Sequence, residues 1–221
     1  FIASQNGYPD KDYKALVERL RSGFPEAKYI DISGLLSADD FYYTDSHWRQ
    51  ERITKVADEI AAQMGAERIG TCEMQDTGRP FYGVYYGQAA LPHAPERLFY
   101  LDNAVIRGLK VYNVETQSDI PVYDLSAAAG RDPYEMFLGG ARSIIKITNP
   151  NAAQERRLIV FRDSFGSSIA PLLTAGYSEI TLVDIRYISP SSLGKQIDFT
   201  KTDDALFLYS ASVINNSETI K

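Results

Sequence analysis

The sequence predicts an α/β protein with a mostly parallel sheet. Short apolar segments at 144–148, 158–161, 179–183 and near 205–209 predict strands, and residues from about 167 to 175 predict a helix between the second and the third. Apolar strands that alternate with helices are typical of parallel sheets with both faces covered. We expect one domain over residues 1–221, because this length can bury a full core.

The first third of the chain predicts two helices and one strand. Apolar residues at helical spacing indicate a helix over 10–24 and another over 49–64, the second followed by Gly65. Residues 28–32 predict a short strand between them. Residues from about 70 to 130 are rich in aromatic and β-branched clusters broken by glycine, proline and asparagine, which favours a β-rich insertion.

Composition excludes several classes of function. The net charge is −6, so the chain lacks the basic surface that nucleic acid binding requires. Cys72 is the single cysteine and the two histidines lie far apart, so we expect no disulfide, no metal site and no cofactor. No run approaches the roughly 18 apolar residues of a membrane span. The sequence starts at Phe1, and we expect a signal peptide or membrane anchor to have been removed.

Ser164 is the candidate nucleophile. It follows the apolar segment 158–161 directly and precedes a small-residue turn and a predicted helix. Open α/β sheets place reactive groups at the carboxyl ends of their strands, where a following helix offers free N–H groups to a developing oxyanion. The alternative interpretation is that Asp163 or Ser164 only caps the helix.

His47 is the candidate base. Asp45 lies two residues before it on a non-helical turn, so the carboxylate can reach Nδ1 while Nε2 faces a hydroxyl group. The alternative is that Asp45 or Ser46 caps the next helix and that His47 is a surface residue. His93, in a proline-flanked loop without a neighbouring carboxylate, is expected to be dispensable.

Several blocks together resemble the DHHW family of bacterial envelope proteins. The segment 43–48, Tyr-Thr-Asp-Ser-His-Trp, is similar to the family's signature and to the "TD-x-HW" motif of the alginate O-acetyltransferases. Three later blocks follow in the family's order: 134–140 resembles "FLGG", 163–165 with 171–173 resembles "DS-aromatic … PFL", and 177–180 with 184–187 resembles "YseI … D-x-RY". The combination is more specific than any single block.

The resemblance implies an SGNH-hydrolase-like, three-layer fold and a role for each candidate residue. Ser164 would be the nucleophile, His47 the general base and acid, and Asp45 the carboxylate that orients the imidazole. The acetyltransferase relatives move acetyl groups onto exopolysaccharide through an acyl-serine intermediate. We therefore expect an O-acyltransferase or acylesterase of the cell envelope, with carbohydrate or an acyl ester as substrate and an oligomeric state that the sequence leaves open.

The chain departs from the family pattern at two positions. Ser46 replaces the first histidine of the signature, which is harmless if the second histidine is the catalytic one, and Ala141 stands where an asparagine often follows the two glycines. The oxyanion donors would then be the N–H groups of Ser164 and of Gly139 or Gly140. Losing one such donor costs about 10²–10³ in rate, so a non-catalytic polysaccharide-binding or scaffold protein with a decayed triad is the second hypothesis.

Arg186 is the remaining candidate. It follows the strand after the Ser164 helix, so we expect it near the site as a substrate or oxyanion group. The alternative is a structural ion pair with Asp163 or Asp184.

Overall fold

The computed structural model describes residues 12–89 and 93–216. Its helices are α1 (Tyr13–Gly23), α2 (Thr54–Gln63), α3 (Val84–Ala89), α4 (Ala104–Arg107), α5 (Phe165–Ile169), α6 (Pro190–Gln196) and α7 (Ala211–Asn215). Its strands are β1 (Glu73–Phe81), β2 (Glu96–Asp102), β3 (Lys110–Asn113), β4 (Ser118–Ile120), β5 (Ile144–Thr148), β6 (Arg157–Arg162), β7 (Glu179–Val183) and β8 (Asp204–Leu208).

The main sheet has the strand order β4-β3-β5-β7-β6-β8. Strand β6 runs parallel to β7 and β8, whereas the pairs β3–β4, β3–β5 and β5–β7 are antiparallel. The sheet is therefore mixed, and the expectation of a mostly parallel sheet is wrong. The sequence pattern was misleading because β5 and β7 are covered on both faces, and such strands are apolar throughout in either orientation.

Both faces of the main sheet are covered. Alternate residues of β5 and β6 face opposite sides, so Ile145 and Val160 join one core cluster and Ile144 and Ile159 join another. The larger cluster contains residues of α2, α5 and the following 3₁₀ segment Ala170–Gly176, and the smaller one contains residues of α6. The sheet is thus the middle layer, with one apolar core cluster on each of its faces.

The segment from 70 to 130 divides between two sheets. Strands β1 and β2 form an antiparallel hairpin of their own, whereas β3 and β4 extend the main sheet. Residues Val84–Ala89, within an aromatic run that predicted strand structure, form helix α3. Within this run Tyr82 and Tyr85 are exposed, whereas Phe81, the last residue of β1, is completely buried.

Other boundaries differ from the sequence prediction in small ways. The predicted helix 49–64 opens with a 3₁₀ turn, Gln50–Arg52, before α2. The predicted helix 167–175 is α5 followed by 3₁₀ structure, because Pro171 cannot donate an α-helical hydrogen bond. Residues 28–32 form no strand. Residues 10 and 11 of the first predicted helix lie outside the described residues.

The described strands 144–148 and 179–183 have the predicted bounds, and β6 and β8 match the predicted segments within one residue. Within residues 12–89 and 93–216, no helix is both long and apolar enough to cross a membrane.

Arg156 ties the end of α2 to the sheet. Its guanidinium donates to the carbonyl oxygens of Met64 at 2.7 Å and Gly65 at 2.9 Å, and pairs with Asp204 at 2.6 Å. It also lies over the ring of the buried Tyr177. The last carbonyls of a helix have no partner within the helix, so this side chain satisfies groups that would otherwise need water.

We predict that Arg156→Met lowers the free energy of unfolding by about 2 kcal/mol, because it leaves the carbonyl groups of Met64 and Gly65 without their donor and removes the ion pair with Asp204. Arg157→Met is the matched control, since the ion pair that Arg157 forms among the described residues is with the exposed Glu155, and we expect a change within about 0.5 kcal/mol. Urea denaturation measures both variants. Equal stabilities would contradict the assigned role of Arg156.

Candidate active site

Ser164 lies at the turn between β6 and α5, at the carboxyl end of a strand that has a neighbour on each side. The buried carboxylate of Asp163 shapes this turn: Oδ1 accepts a hydrogen bond from the N–H of Phe165 at 3.0 Å, and Oδ2 accepts one from the N–H of Ser210 at 2.7 Å. The capping function therefore belongs to Asp163. The Ser164 hydroxyl makes no capping bond and is available for another partner.

Asp45, His47 and Ser164 lie in one hydrogen-bonded chain. His47 Nε2 lies 2.6 Å from Ser164 Oγ, and His47 Nδ1 lies 2.5 Å from Asp45 Oδ1. The same Asp45 oxygen accepts the His47 backbone N–H at 2.9 Å. The structure thus brings together three side chains from segments 117 residues apart, in the order that serine activation requires.

The environment of Asp45 keeps its carboxylate ionised. Burial alone would raise the pKa, but the hydrogen bond and charge of His47 and the backbone N–H of Val84 lower the pKa below its ordinary value. The Val84 N–H lies 2.9 Å from Oδ2. Each oxygen of Asp45 consequently has a donor, and the second donor comes from the start of α3.

Tyr134 fixes the plane of the imidazole. Its ring stacks on that of His47 with centroids 3.9 Å apart and an interplanar angle of 11°. The buried hydroxyl donates to Ser168 Oγ at 2.7 Å and lies 3.3 Å from the carbonyl oxygen of Trp48. The indole N–H of Trp48 reaches the same Ser168 oxygen at 2.8 Å. Ser168, on α5, therefore connects the His47 loop to the helix that follows Ser164.

Gln50 makes a second connection between these segments. Its Nε2 donates to the Ser168 carbonyl oxygen at 2.6 Å, and its Oε1 accepts the N–H of Leu101 at 2.8 Å. Nε2 also lies 3.1 Å from the hydroxyl of Tyr123. Gln50 is completely buried, so an unpaired amide there would be costly. It holds the His47 loop against both α5 and β2.

The hairpin is fastened to the loop before Asp45. Glu96, at the start of β2, accepts hydrogen bonds from the N–H of Tyr43, and from both the N–H and the hydroxyl of Thr44, at 2.6–3.0 Å. Gly83 approaches so closely that a Cβ atom there would lie 2.1 Å from the Thr44 carbonyl oxygen. Only glycine fits at this contact, which brings the Val84 N–H onto Asp45.

The two glycines predicted as oxyanion donors have different surroundings. The Gly140 N–H donates to the Phe137 carbonyl oxygen at 3.1 Å, and its own carbonyl accepts from the buried Arg162 at 3.3 Å, so Gly140 closes a turn. The N–H groups of Gly139 and Ser164 have no acceptor within the part of the chain that the structure describes. Both glycines have φ near +70°, which explains why glycine occupies these positions.

Arg186 forms the structural ion pair that the sequence left as an alternative. Its guanidinium binds Asp184 with two contacts, 2.9 Å from Nε and 2.6 Å from Nη2, and these hydrogen bonds raise its pKa. The partner is Asp184 and not Asp163. Among the described contacts, none joins Arg186 to Ser164 or His47, so the expectation of a site residue here has no support in its geometry.

His93 lies apart from this chain of residues. It is exposed, and its Nδ1 contacts the carbonyl oxygen of its neighbour Ala94. Residues 91 and 92, part of the proline-flanked loop, lie outside the described residues.

Sequence reasoning missed Tyr134, Ser168 and Gln50. Tyr134 stands at the start of the block similar to "FLGG", and that position was the one signal pointing to it. Ser168 and Gln50 carried no signal, because a serine on a helix and a glutamine before one are ordinary surface patterns. Their roles depend on contacts over more than 30 residues.

The DHHW family model matches residues 35–183. The chain belongs to the DHHW family. The matched region includes the Asp45–His47 segment, the hairpin and Ser164, so the resemblance predicted from the sequence is confirmed. No curated protein sequence is significantly similar to the chain.

Two solved structures with TM-scores above 0.6 share the fold at low sequence identity. A DHHW family protein from Eubacterium siraeum has a TM-score of 0.69 at 19% identity, and the alignment covers 96% of this chain and 76% of that one. PatB1 of Bacillus cereus, solved with a sulfonyl adduct, has a TM-score of 0.64 at 20% identity, with 88% and 67% covered. Pseudomonas aeruginosa AlgX matches at a TM-score of 0.47 and 12% identity, with 90% and 44% covered.

We predict that Gly83→Ala destabilises the protein by about 3 kcal/mol, because the new methyl group meets backbone atoms of Thr44 and the Cβ of Asp45 that cannot move aside singly. Gly87→Ala, in the helix α3 that follows Gly83 and with open space around it, is the control and should be neutral or slightly stabilising. Thermal and urea denaturation compare the two. A Gly83→Ala protein as stable as the wild type would refute the close contact.

A double-mutant cycle tests the bond between Tyr134 and Ser168. Tyr134→Phe keeps the stacking on His47 but removes the buried donor, and we expect a loss of about 1–2 kcal/mol. Combined with Ser168→Ala, the two effects should be non-additive by at least about 0.5 kcal/mol, as for residues in one network. Ser22→Ala, on the exposed face of α1, is the control partner and should give additive effects. If the effects of Tyr134→Phe and Ser168→Ala on stability are additive, Ser168 does not help to hold Tyr134 against the imidazole.

Proposed function

We propose that this chain is a serine-dependent O-acyltransferase or acylesterase that acts on carbohydrate of the cell envelope. The observation that carries the proposal is the unbroken chain from Asp45 Oδ1 through the His47 imidazole to Ser164 Oγ, with contacts of 2.5 and 2.6 Å. The envelope location and the carbohydrate substrate follow from the resemblance to the DHHW proteins and the alginate O-acetyltransferases. Membership of the DHHW family supports both.

The first half-reaction would form an acyl-serine. Ser164 Oγ attacks the carbonyl carbon of the acyl donor while His47 Nε2 takes the hydroxyl proton. The tetrahedral intermediate collapses when His47 returns that proton to the leaving oxygen, which breaks the donor's acyl–oxygen bond. Asp45 stabilises the imidazolium between these two transfers and keeps Nδ1 protonated.

Backbone N–H groups would stabilise the oxyanion. The Ser164 N–H is the first donor, because it belongs to the nucleophile itself and has no acceptor among the described residues. The Gly139 N–H is the second donor in this proposal, since Gly140 already donates to Phe137. Arg162 supports this arrangement: it donates to the carbonyl of Gly140 and to Ser167 Oγ, and so connects the glycine turn to α5.

The second half-reaction would release the acyl group. A hydroxyl group of the carbohydrate, or water, attacks the acyl carbon while His47 Nε2 removes its proton, and the proton then returns to Ser164 Oγ. Transfer and hydrolysis thus use the same residues and differ only in the attacking oxygen. The chemistry needs no metal or cofactor, because proton transfer and N–H donors supply each step.

The alternative is a polysaccharide-binding scaffold with a decayed triad. A protein that only binds polysaccharide does not need a serine hydroxyl within hydrogen-bond distance of an imidazole. The contact of 2.6 Å between Ser164 Oγ and His47 Nε2 therefore favours the enzyme. Ala141 cannot supply the side-chain hydrogen-bond donor to the oxyanion that an asparagine at this position would. That residue is the one that supports the alternative.

We predict that brief exposure to 4-nitrophenyl acetate, quenched with acid, adds one acetyl group to the protein at Ser164. The adduct should accumulate without a sugar acceptor, because attack by water on the acyl-serine is then the slow step. Intact mass spectrometry and peptide mapping locate it. Ser164→Ala should abolish the adduct, and His47→Ala should slow its formation by about 10²–10⁴-fold.

His93→Ala is the matched histidine control and should acylate at the wild-type rate. An aryl sulfonyl fluoride forms a serine adduct that is not hydrolysed. If the sulfonyl adduct forms but the acetyl adduct is not seen, the serine reacts and the acetyl group is lost by fast deacylation. Labelling that persists in Ser164→Ala would identify another nucleophile. The absence of any adduct with either reagent would reject the enzyme in favour of the scaffold.

A further inference from the structure

Arg162 is the last residue of β6 and is completely buried. Its aliphatic stem lies where a side chain at Gly166 would be, since a Cβ atom there would be 2.5 Å from the Cβ of Arg162. The guanidinium keeps its charge, because arginine does not lose its proton in proteins, and the buried Asp184 is its acidic neighbour at 3.9 Å. Burying a charge is costly unless it is paired and hydrogen-bonded, so the other partners of this group matter.

The guanidinium of Arg162 contacts three backbone carbonyl groups. Nη1 donates to the carbonyl oxygen of Asp163 at 3.4 Å, and Nη2 donates to those of Gly140 at 3.3 Å and Arg142 at 3.5 Å. A guanidinium is planar and rigid, so one group holds both the glycine turn and the peptide group that precedes Ser164. These contacts place the glycine turn beside the nucleophile.

Two of these three peptide groups have an N–H that is free to bind a ligand. A carbonyl and the N–H of the next residue belong to one planar peptide group, so the three N–H groups are those of Ser164, Ala141 and Ser143. Ser143 donates to Glu115 at 2.7 Å. The N–H groups of Ser164 and Ala141 have no acceptor among the described residues.

A cation on the carbonyl oxygen makes the N–H of the same peptide group a stronger donor. It draws electron density toward the oxygen, and hydrogen bonds that share a peptide group polarise one another. The effect is larger in a buried environment than in water, because the local dielectric is low. Fixed backbone N–H groups are the kind of donor that stabilises a developing oxyanion.

We propose that Arg162 is a positioning residue of the oxyanion site, which fixes and polarises the N–H groups of Ser164 and Ala141. The inference rests on the proposed function and adds a donor to it. Ala141 is exposed, so a substrate can approach its N–H. The backbone of Ala141 thereby supplies a hydrogen bond that its methyl side chain cannot. Arg162 acts through these N–H groups and not on the substrate.

The rate at which 4-nitrophenyl acetate acetylates Ser164 tests the proposal in Arg162→Met and Arg162→Lys. Methionine fills the space without a donor, and lysine keeps a charge near Asp184 but cannot fork between carbonyl groups. Losing an oxyanion donor lowers the rate without weakening substrate binding. We therefore expect acylation to slow by about 10²-fold in both variants, with less than about a threefold change in the ester concentration for half-maximal rate.

Arg156→Met is the matched control for lost stability. Arg156 directly precedes β6, at the end of the strand opposite to Arg162, and its contacts are with Met64, Gly65 and Asp204. We expect this variant to acylate at the wild-type rate when all proteins are measured well below their melting temperatures. Equal slowing in Arg156→Met and Arg162→Met would assign the effect to stability and overturn the proposal.

The infrared spectrum of the acetyl group on Ser164 gives a readout that stability does not change. Stronger hydrogen bonds to the acetyl carbonyl oxygen lower its stretching frequency, and an isotope label on the carbonyl carbon separates this band from those of the backbone. We expect the band to lie at higher frequency in both Arg162 variants than in the wild type, and to be unshifted in Arg156→Met.

An unshifted band in the Arg162 variants overturns the positioning role, whether or not acylation is slow, because the oxyanion donors are then intact. This outcome leaves the catalytic proposal standing, since the wild type still forms the adduct. A wild-type protein that forms no adduct at Ser164 rejects the catalytic proposal, and the role of Arg162 in it fails as well. Arg162→Lys carries the comparison if Arg162→Met does not fold.

Discussion

The attachment of the His47 loop to α5 is the interaction on which the site depends. Ser168 accepts two buried hydrogen bonds from this loop. The Gln50 amide donates to its carbonyl oxygen at 2.6 Å, and the Trp48 indole donates to its hydroxyl oxygen at 2.8 Å. Buried polar groups that lose a partner cost more than the bond contributes, so this contact has one favoured geometry. Because Ser164 directly precedes the same helix, fixing Ser168 also restricts the distance between the Ser164 hydroxyl and the His47 imidazole.

The sheet supplies the other half of the constraint. Strand β6 has parallel neighbours on both sides, so the turn after it cannot shift along the sheet without disturbing two ladders. Below the turn, the fully buried Arg162 has its pKa lowered by loss of water, and it is held by contacts to Ser167 and Gly140. Separating the buried Arg162 guanidinium from these partners would cost several kcal/mol of free energy, about as much as breaking a buried ion pair. The turn and the glycine segment are therefore expected to move together or not at all.

Short-range spacing named the candidate residues, whereas tertiary pairing was not predictable. Asp45 and His47 are two residues apart on one turn, and Ser164 follows an apolar strand, so spacing was enough to make all three candidates, with helix capping as the alternative. The direction of β5 was not predictable, because a strand buried on both faces is apolar in either orientation. The stacking of Tyr134 on His47 joins segments 87 positions apart in a way that no periodicity records.

The contact between Gly83 and Thr44 means that the hairpin is not an independent module. Its β1–α3 connection provides a backbone donor to Asp45, and Glu96 of its second strand holds the loop before Asp45. Exchanging this hairpin for that of a relative would therefore replace one of the hydrogen-bond donors to the Asp45 carboxylate. In this family, changes in the hairpin and changes in the surroundings of Asp45 are expected to be inherited together, through one segment of the gene.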